Sequence, residues 1–305
     1  MDLIKPNTRI NFVGKMGKAV ILSLVLIIIS IGSLIYHKGP NWGVEFTGGT
    51  EIHIKLAKDV SIEDIKNTLG EVGYPPEEVQ RLGLQSDNEY LIRFSSELVK
   101  FEEIQVFQTE LESLIEKNPQ FQGGSILRVD YIGPKVGGEL IRKAVISILL
   151  GCVGILIYVM MRFEFAFAMG AVIALVHDTV ITLGAISITD KEFNLALVAA
   201  LLTVIGYSVN DTIIIFDRIR ENMKKSSKSG FKDVVNEGIN QTLSRTILTG
   251  ITVFLVLIPL FVLGGSVIHD FAFTLIVGVL VGTYSSIFVA SAAVIYWRKR
   301  KGTLT

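Results

Sequence analysis

Apolar residues gather into six long runs, separated by polar stretches of very unequal length. The runs cover residues 19–36, 144–161, 165–189, 193–216, 243–263 and 271–297. A bilayer crossing takes about 20 apolar residues, so six transmembrane helices are predicted. Pro259 removes one backbone donor and predicts a kink near the outer end of the fifth helix. The last run is over-long, which predicts tilt. The first run is longer than a signal-peptide core of roughly 7–15 residues and has no small-x-small cleavage pattern, so it reads as an uncleaved helix.

Between the first two runs the period of the pattern changes. Glu51–Leu56 alternates polar and apolar, as a half-buried strand does. Ser61-Ile62-Glu63-Asp64 reads as a capping box with Asp in place of Glu, opening a helix. Strands are predicted at Val79–Leu84 and Glu89–Phe94, split by the turn residues Ser86, Asp87 and Asn88. Glu97–Lys117 predicts a second helix, ended by Asn118-Pro119. Ser125–Ile132 predicts the last strand. The order β-α-β-β-α-β is that of a ferredoxin-like split βαβ unit, and about 100 residues suffice for one small core. The predicted fold class is a polytopic α-helical membrane protein with an α+β ferredoxin-like external domain between helices 1 and 2.

Orientation follows from Lys and Arg. Lys5, Arg9, Lys15 and Lys18 precede helix 1; Arg218, Arg220, Lys224, Lys225, Lys228 and Lys232 lie between helices 4 and 5; Arg298, Lys299, Arg300 and Lys301 end the chain. Six spans put these three regions on one side, so 1–18 and 298–305 are expected to be cytoplasmic, 37–143 extracytoplasmic and 144–297 to hold helices 2–6. Arg142 and Lys143 follow a long translocated segment, where the rule is weak. The 29 basic and 29 acidic residues balance, so no basic face argues for nucleic acid. Cys152 is the single cysteine and says nothing of redox compartment.

Several chemistries find no support. Gly43-x4-Gly48-Gly49-Thr50 has glycine where a phosphate loop needs lysine, and Gly17-Lys18-Ala19 lacks the spacing and the hydroxyl. There is no Cys/His cluster at metal spacing and no assembled Ser/His/Asp set. No cofactor is expected, and no enzyme activity. His37, His53 and His269 read as ordinary surface or interface residues.

The candidate chemistry lies inside the apolar runs. Asp211 sits near the inner end of the fourth, where a carboxylate costs several kcal/mol. Arg245 lies about one turn into the fifth helix, which runs back antiparallel, so the two fall at similar depth. Tyr207 and Ser208 lie on the Asp211 side of helix 4, with Asn210 beside it. Thr249 and Thr252 follow Arg245, and His177 and Asp178 sit near the middle of helix 3 with Thr182 one turn on. Burial favours a protonated carboxyl and a nearby guanidinium the ionised one. A proton relay at Asp211 and Arg245 is therefore one reading; a static ion pair locking two helices is the other. His177 has the simpler alternative of satisfying its neighbour. Gly48-Gly49 and the Gly133, Pro134, Gly137, Gly138 segment flank the external domain, as hinges or as rigid connectors.

The segments GVEFTGGT (43–50), IGPKVGGEL (132–140), VHD (176–178), GYSVNDTIIIFDRIRE (206–221) and QTLSRTILTGITV (241–253) together resemble the SecF family of bacterial protein-export membrane proteins, of the SecD/SecF group. They occur in the family's order along nearly the whole chain. The resemblance implies an RND-like half in the membrane and an external domain of ferredoxin-like type. It implies SecD as heteromeric partner, association with the SecYEG channel, and use of the proton-motive force to help pull unfolded preproteins across the bacterial inner membrane. It carries the proton-transport roles onto Asp211 and Arg245, and a supporting role onto His177 and Asp178. Because the chain opens on its own first helix, the split rather than the SecD-fused form is expected. The rival readings are a small-molecule or lipid exporter of the same superfamily and a non-conducting membrane scaffold.

Overall fold

A computed structural model of the chain describes residues 9–82, 87–99, 103–225 and 230–300. In chain order the main elements are α1 (Met16–Tyr36), α2 (Val44–Thr47), β1 (Gly49–Lys55), α3 (Ile62–Glu71), β2 (Glu78–Leu82), β3 (Glu89–Phe94), α4 (Ile104–Lys117), β4 (Ser125–Ile132), α5 (Pro134–Arg162), α6 (Phe165–Ile188), α7 (Leu195–Lys225), α8 (Phe231–Leu263), α9 (Ser266–Ser285) and α10 (Ser291–Arg300). A π-helical turn, Ser286–Ala290, joins the last two. The chain divides into two compact units, Trp42–Val145 and the residues on either side of it.

In the α+β unit the strands order as β2-β3-β1-β4, every neighbour antiparallel. Period-2 alternation sends Ile52 and Ile54 of β1 and Tyr90, Ile92 and Phe94 of β3 to one face, where they meet Ile65 and Leu69 of α3 and Phe107, Leu111 and Ile115 of α4. The other face pairs charges: His53 and Lys55 with Glu89 at 3.1 and 3.2 Å, and Arg93 with Glu78 at 2.9 Å. The register slips between His53 and Ile54, leaving Leu127 as the extra residue of a bulge on β4,.

Local signals explain most boundaries. Ser61 caps α3, its hydroxyl accepting the Asp64 amide at 3.0 Å. The reciprocal bond of a capping box is absent. Asp64, one methylene shorter than Glu, accepts from the Ser61 hydroxyl at 2.7 Å instead. α4 starts at Ile104, later than the expected Glu97, because Ser95–Leu98 fold into a turn. It ends at Asn118, extended as a residue before proline must be,. The expected strand end at Gly83–Leu84, the turn residue Ser86, the basic residues Lys5, Lys228 and Lys301, and the outermost residues of both termini lie outside the described residues.

The membrane unit supplies six helices long and apolar enough to cross a bilayer. Three of them form its interior: half or more of the spanning windows of α6, α7 and α9–α10 is buried, against 11–17% in α1, α5 and α8. α7 packs on α9 and α8, and α6 on α1 and α9. Gly278 and Gly282 repeat at the GxxxG interval, which lets helix backbones approach closely in an apolar medium. A Cβ on Gly278 would lie 2.1 Å from Val204, and one on Gly282 3.0 Å from Ser208, so both glycines seat α9 directly on α7.

α7 and α8 run well beyond the apolar stretches that predict them. Their extra turns are amphipathic: Phe216 and Ile219 join Phe231, Val234, Val235 and Ile239 in one buried cluster with Phe163 and Phe167. α8 continues through Pro259 as one helix. The over-long sixth run contains the π turn. Beyond that turn, Arg298 stacks over Phe231 and Phe167 and donates to Glu164 at 2.9 Å. At the other end of the sequence, Asn236 accepts the amides of Phe12 and Val13 at 2.8 and 3.2 Å, and Asn240 that of Ile10 at 2.8 Å. The amides of the segment leading into α1 are thus satisfied from α8.

Two predictions follow from the α+β unit. Gly49 has φ +130° and a Cβ there would lie 2.6 Å from the Phe94 carbonyl oxygen. Gly49→Ala is expected to cost roughly 1–3 kcal/mol, read as faster protease cleavage within 42–145 in the solubilised chain; wild-type resistance would refute it. The Tyr74 hydroxyl donates to Glu110, whose carboxylate pushes it up from 10.0 to about 12. The unfolded chain loses that proton first, so the contact's contribution is whole below pH 10 and fades as pH rises towards 12. Tyr74→Phe should flatten the unit's loss of stability over that window, and an unchanged alkaline profile would show that the contact contributes nothing.

Candidate functional site

α7 carries Tyr207, Ser208 and Asp211 at the four- and three-residue spacings that share a helix face. Asp211 is 1% exposed. Among the described residues neither of its carboxylate oxygens has a hydrogen-bond partner, and the hydroxyls of Thr212 and Thr246 are likewise buried and unpartnered. Burying a carboxyl unpaired is costly, and native proteins tolerate few such groups outside functional positions. Gly250 of α8 faces the Tyr207 hydroxyl, which a Cβ there would meet at 3.9 Å, an ordinary contact distance.

Arg245 lies on α8 with its side chain exposed, and no hydrogen bond joins it to Asp211. The depth match read from the sequence therefore does not amount to a closed bridge. Thr249 donates to the Arg245 carbonyl at 3.0 Å and Thr252 to that of Thr249 at 2.8 Å, so both hydroxyls serve their own helix. Asn210 is exposed, on a different face of α7 from Asp211.

A second carboxylate is bound quite differently. Asp178 on α6 is 1% exposed. It accepts from the Ser208 hydroxyl of α7 and, at 2.7 Å, from the Ser285 hydroxyl of α9. His177 Nδ1 lies 2.8 Å from its other oxygen, the tautomer being assigned from that contact. The His177 ring stacks on Tyr284 at 6.2 Å, and its Nε2 is buried without a partner. Asp178 thus ties three helices through charge-assisted hydrogen bonds. Thr182, one turn along α6, keeps a buried and unpartnered hydroxyl.

The glycine segments lie near the two ends of the α+β unit. Gly48 and Gly49 take positive φ of 76° and 130° in the turn from α2 into β1. Gly133 precedes α5, Pro134 opens it where a missing N–H costs nothing, and Gly137 and Gly138 lie in its first turns. A Cβ on Gly137 would stand 2.5 Å from the Phe46 carbonyl oxygen, so α5 begins hard against α2. Among the described residues no group of three or more His, Cys, Asp or Glu is placed to hold a metal ion.

The family of protein export membrane proteins SecD/SecF, C-terminal, matches residues 114–300, and the SecD/SecF GG motif matches 33–60. The chain belongs to the SecD/SecF family. It is 45% identical over 297 residues to the protein translocase subunit SecF of Calditerrivibrio nitroreducens, covering 96% of each chain. It is 44% identical to that of Magnetococcus marinus, over 97% of this chain and 94% of the relative. The crystal structure of SecDF, a translocon-associated membrane protein from Thermus thermophilus, superposes with a TM-score of 0.86 at 36% identity; it is matched over 96% of this chain but only 39% of its own length.

Of the sequence-predicted residues, the structure of this SecD/SecF chain brings His177 and Ser208 onto Asp178; Ser285, in the same node, is not among them. The signal for it is present: Gly278-x3-Gly282 marks the packed face of the last span, and Ser285 lies one turn further on that face. The two carboxylates predict opposite outcomes on removal. Asp211→Leu should leave thermal stability in detergent unchanged or raise it by up to roughly 4 kcal/mol, since no partner is orphaned. Asp178→Leu should lower it by about 3–5 kcal/mol, because Ser208, Ser285 and His177 lose their acceptor. Equal losses would refute this contrast.

Proposed function

We propose that this chain is the SecF-type subunit of a Sec protein-translocase auxiliary complex, which with a SecD partner uses the proton-motive force to promote preprotein export through the SecYEG channel. The observation that carries the proposal is the buried, unpartnered carboxylate of Asp211 on a helix long and apolar enough to span the membrane. In a medium without water such a group is stable when protonated. The approach of the Arg245 guanidinium stabilises the ionised form and releases the proton; its withdrawal lets the carboxylate take up another. Transfer across the membrane yields about 2.3 kcal/mol per charge per 100 mV, enough to bias a conformational cycle. Apart from the O–H bond of the exchanged proton, the chain makes and breaks no covalent bond in this cycle.

The Thermus SecDF chain, of which the match covers 40%, supports a SecD portion as the partner that completes the pump. The order and antiparallel pairing of β2-β3-β1-β4 support a ferredoxin-like domain outside the membrane. The basic residues at both termini and between α7 and α8 support a cytoplasmic location for all three, in the bacterial inner membrane. The tight seat of Gly137 on α2 favours a rigid connector over a hinge at the start of α5.

The test is proton-dependent export in membrane vesicles. Asp211→Asn is expected to abolish it while leaving assembly with SecD intact; retained export would reject the relay, and lost assembly would favour a scaffold. Arg245→Lys is expected to impair export strongly, because a point charge does not replace a planar fork. Wild-type rates in that variant would argue against a role for guanidinium geometry.

A further inference from the structure

We infer that Asp178 is a positioning residue for Asp211: through the Ser208 hydroxyl it fixes the rotation of α7 one turn away from the proton-exchanging carboxylate. The inference rests on the relay reading of Asp211 and adds a residue that carries no proton. Ser208 and Asp211 are separated by about 60° around the helix and ~4.5 Å along it. Any rotation of α7 that swings Asp211 away from its buried setting therefore pulls Ser208 from Asp178. The Ser208 face of α7 is also held from α9, where Gly282 and Gly278 leave no more than room for Ser208 and Val204. Ser285, 0% exposed, completes the clamp by donating to the same Asp178 oxygen.

Asp178 differs from Asp211 in the way a holder differs from a carrier. Both its oxygens are engaged, by donors from three helices. A group that loads and unloads a proton must exchange partners, whereas Asp178 gains most by keeping them. Within the apolar lengths of the packed helices, the titratable and charged groups around the node are His177 on α6, Tyr207 and Asp211 on α7, Arg245 on α8 and Tyr284 on α9; α1 offers none between Ala19 and Ile35.

The experiment compares Asp178→Asn with the double variant Ser208→Ala/Ser285→Ala in the assembled complex with SecD. Proton-driven export is measured across the neutral pH range. Both are expected to assemble in wild-type amounts, to lower export by roughly threefold to tenfold, and to shift the pH midpoint in the same direction. Complete loss at every pH for Asp178→Asn, with the serine variant normal, would make Asp178 a carrier and overturn the inference. A midpoint shift in Asp178→Asn alone would reduce its role to charge and overturn it too. Less complex with an unmoved midpoint would leave only packing, a third refutation. Proton-dependent export surviving Asp211→Asn would remove the relay itself, a failure visible without touching Asp178.

Discussion

A carboxylate inside a bilayer has no water to fall back on, so each must find its donors within the protein or go without. The membrane unit holds one of each kind. Asp178 is satisfied from three helices and Asp211 from none. They sit on adjacent helices, and Ser208 of α7 is hydrogen-bonded to one while lying a turn from the other. The arrangement of α6, α7 and α9 follows from meeting the demand of Asp178.

The packing around this pair is graded to match. Glycine contacts draw α9 onto α7 and, where a Cβ on Gly184 would lie 2.1 Å from Ser30, α6 onto α1. Helices so closely seated have little freedom to slide, because the small residues that admit the backbone leave no lateral room. α8 buries much less of its spanning length than α7 or the last span does. It is also the helix that carries Arg245.

Much of this is legible in the sequence. The six apolar runs, the alternation of Glu51–Leu56, the Ser61 cap and the Asn118-Pro119 stop are local signals, each read out by a few neighbouring residues. What stays hidden depends on partners distant in the chain. Nothing near Glu97 foretells that its segment folds into a turn before α4. Nothing near Phe216 or Phe231 announces that α7 and α8 continue together, since each extension is stable only because the other covers its apolar side. Asp211 and Arg245 are found by depth. Depth does not reveal whether two side chains meet, and Arg245 stays exposed with no hydrogen bond to Asp211. Asp178 is visible as a charge in an apolar run, while its partner Ser285 is one of many serines until the glycine spacing on the same helix is weighed.

The π turn at Ser286–Ala290 means that the last helix holds one more residue than regular winding would need to bridge the same span. Removing a single residue there would restore the ordinary ladder and swing everything after it by about 100°. Arg298 would then leave the aromatic slot between Phe167 and Phe231 and lose Glu164. The surplus residue is thus a phase setter: it lets Ser285 face the interior acid while the arginine three turns further on still reaches its own berth.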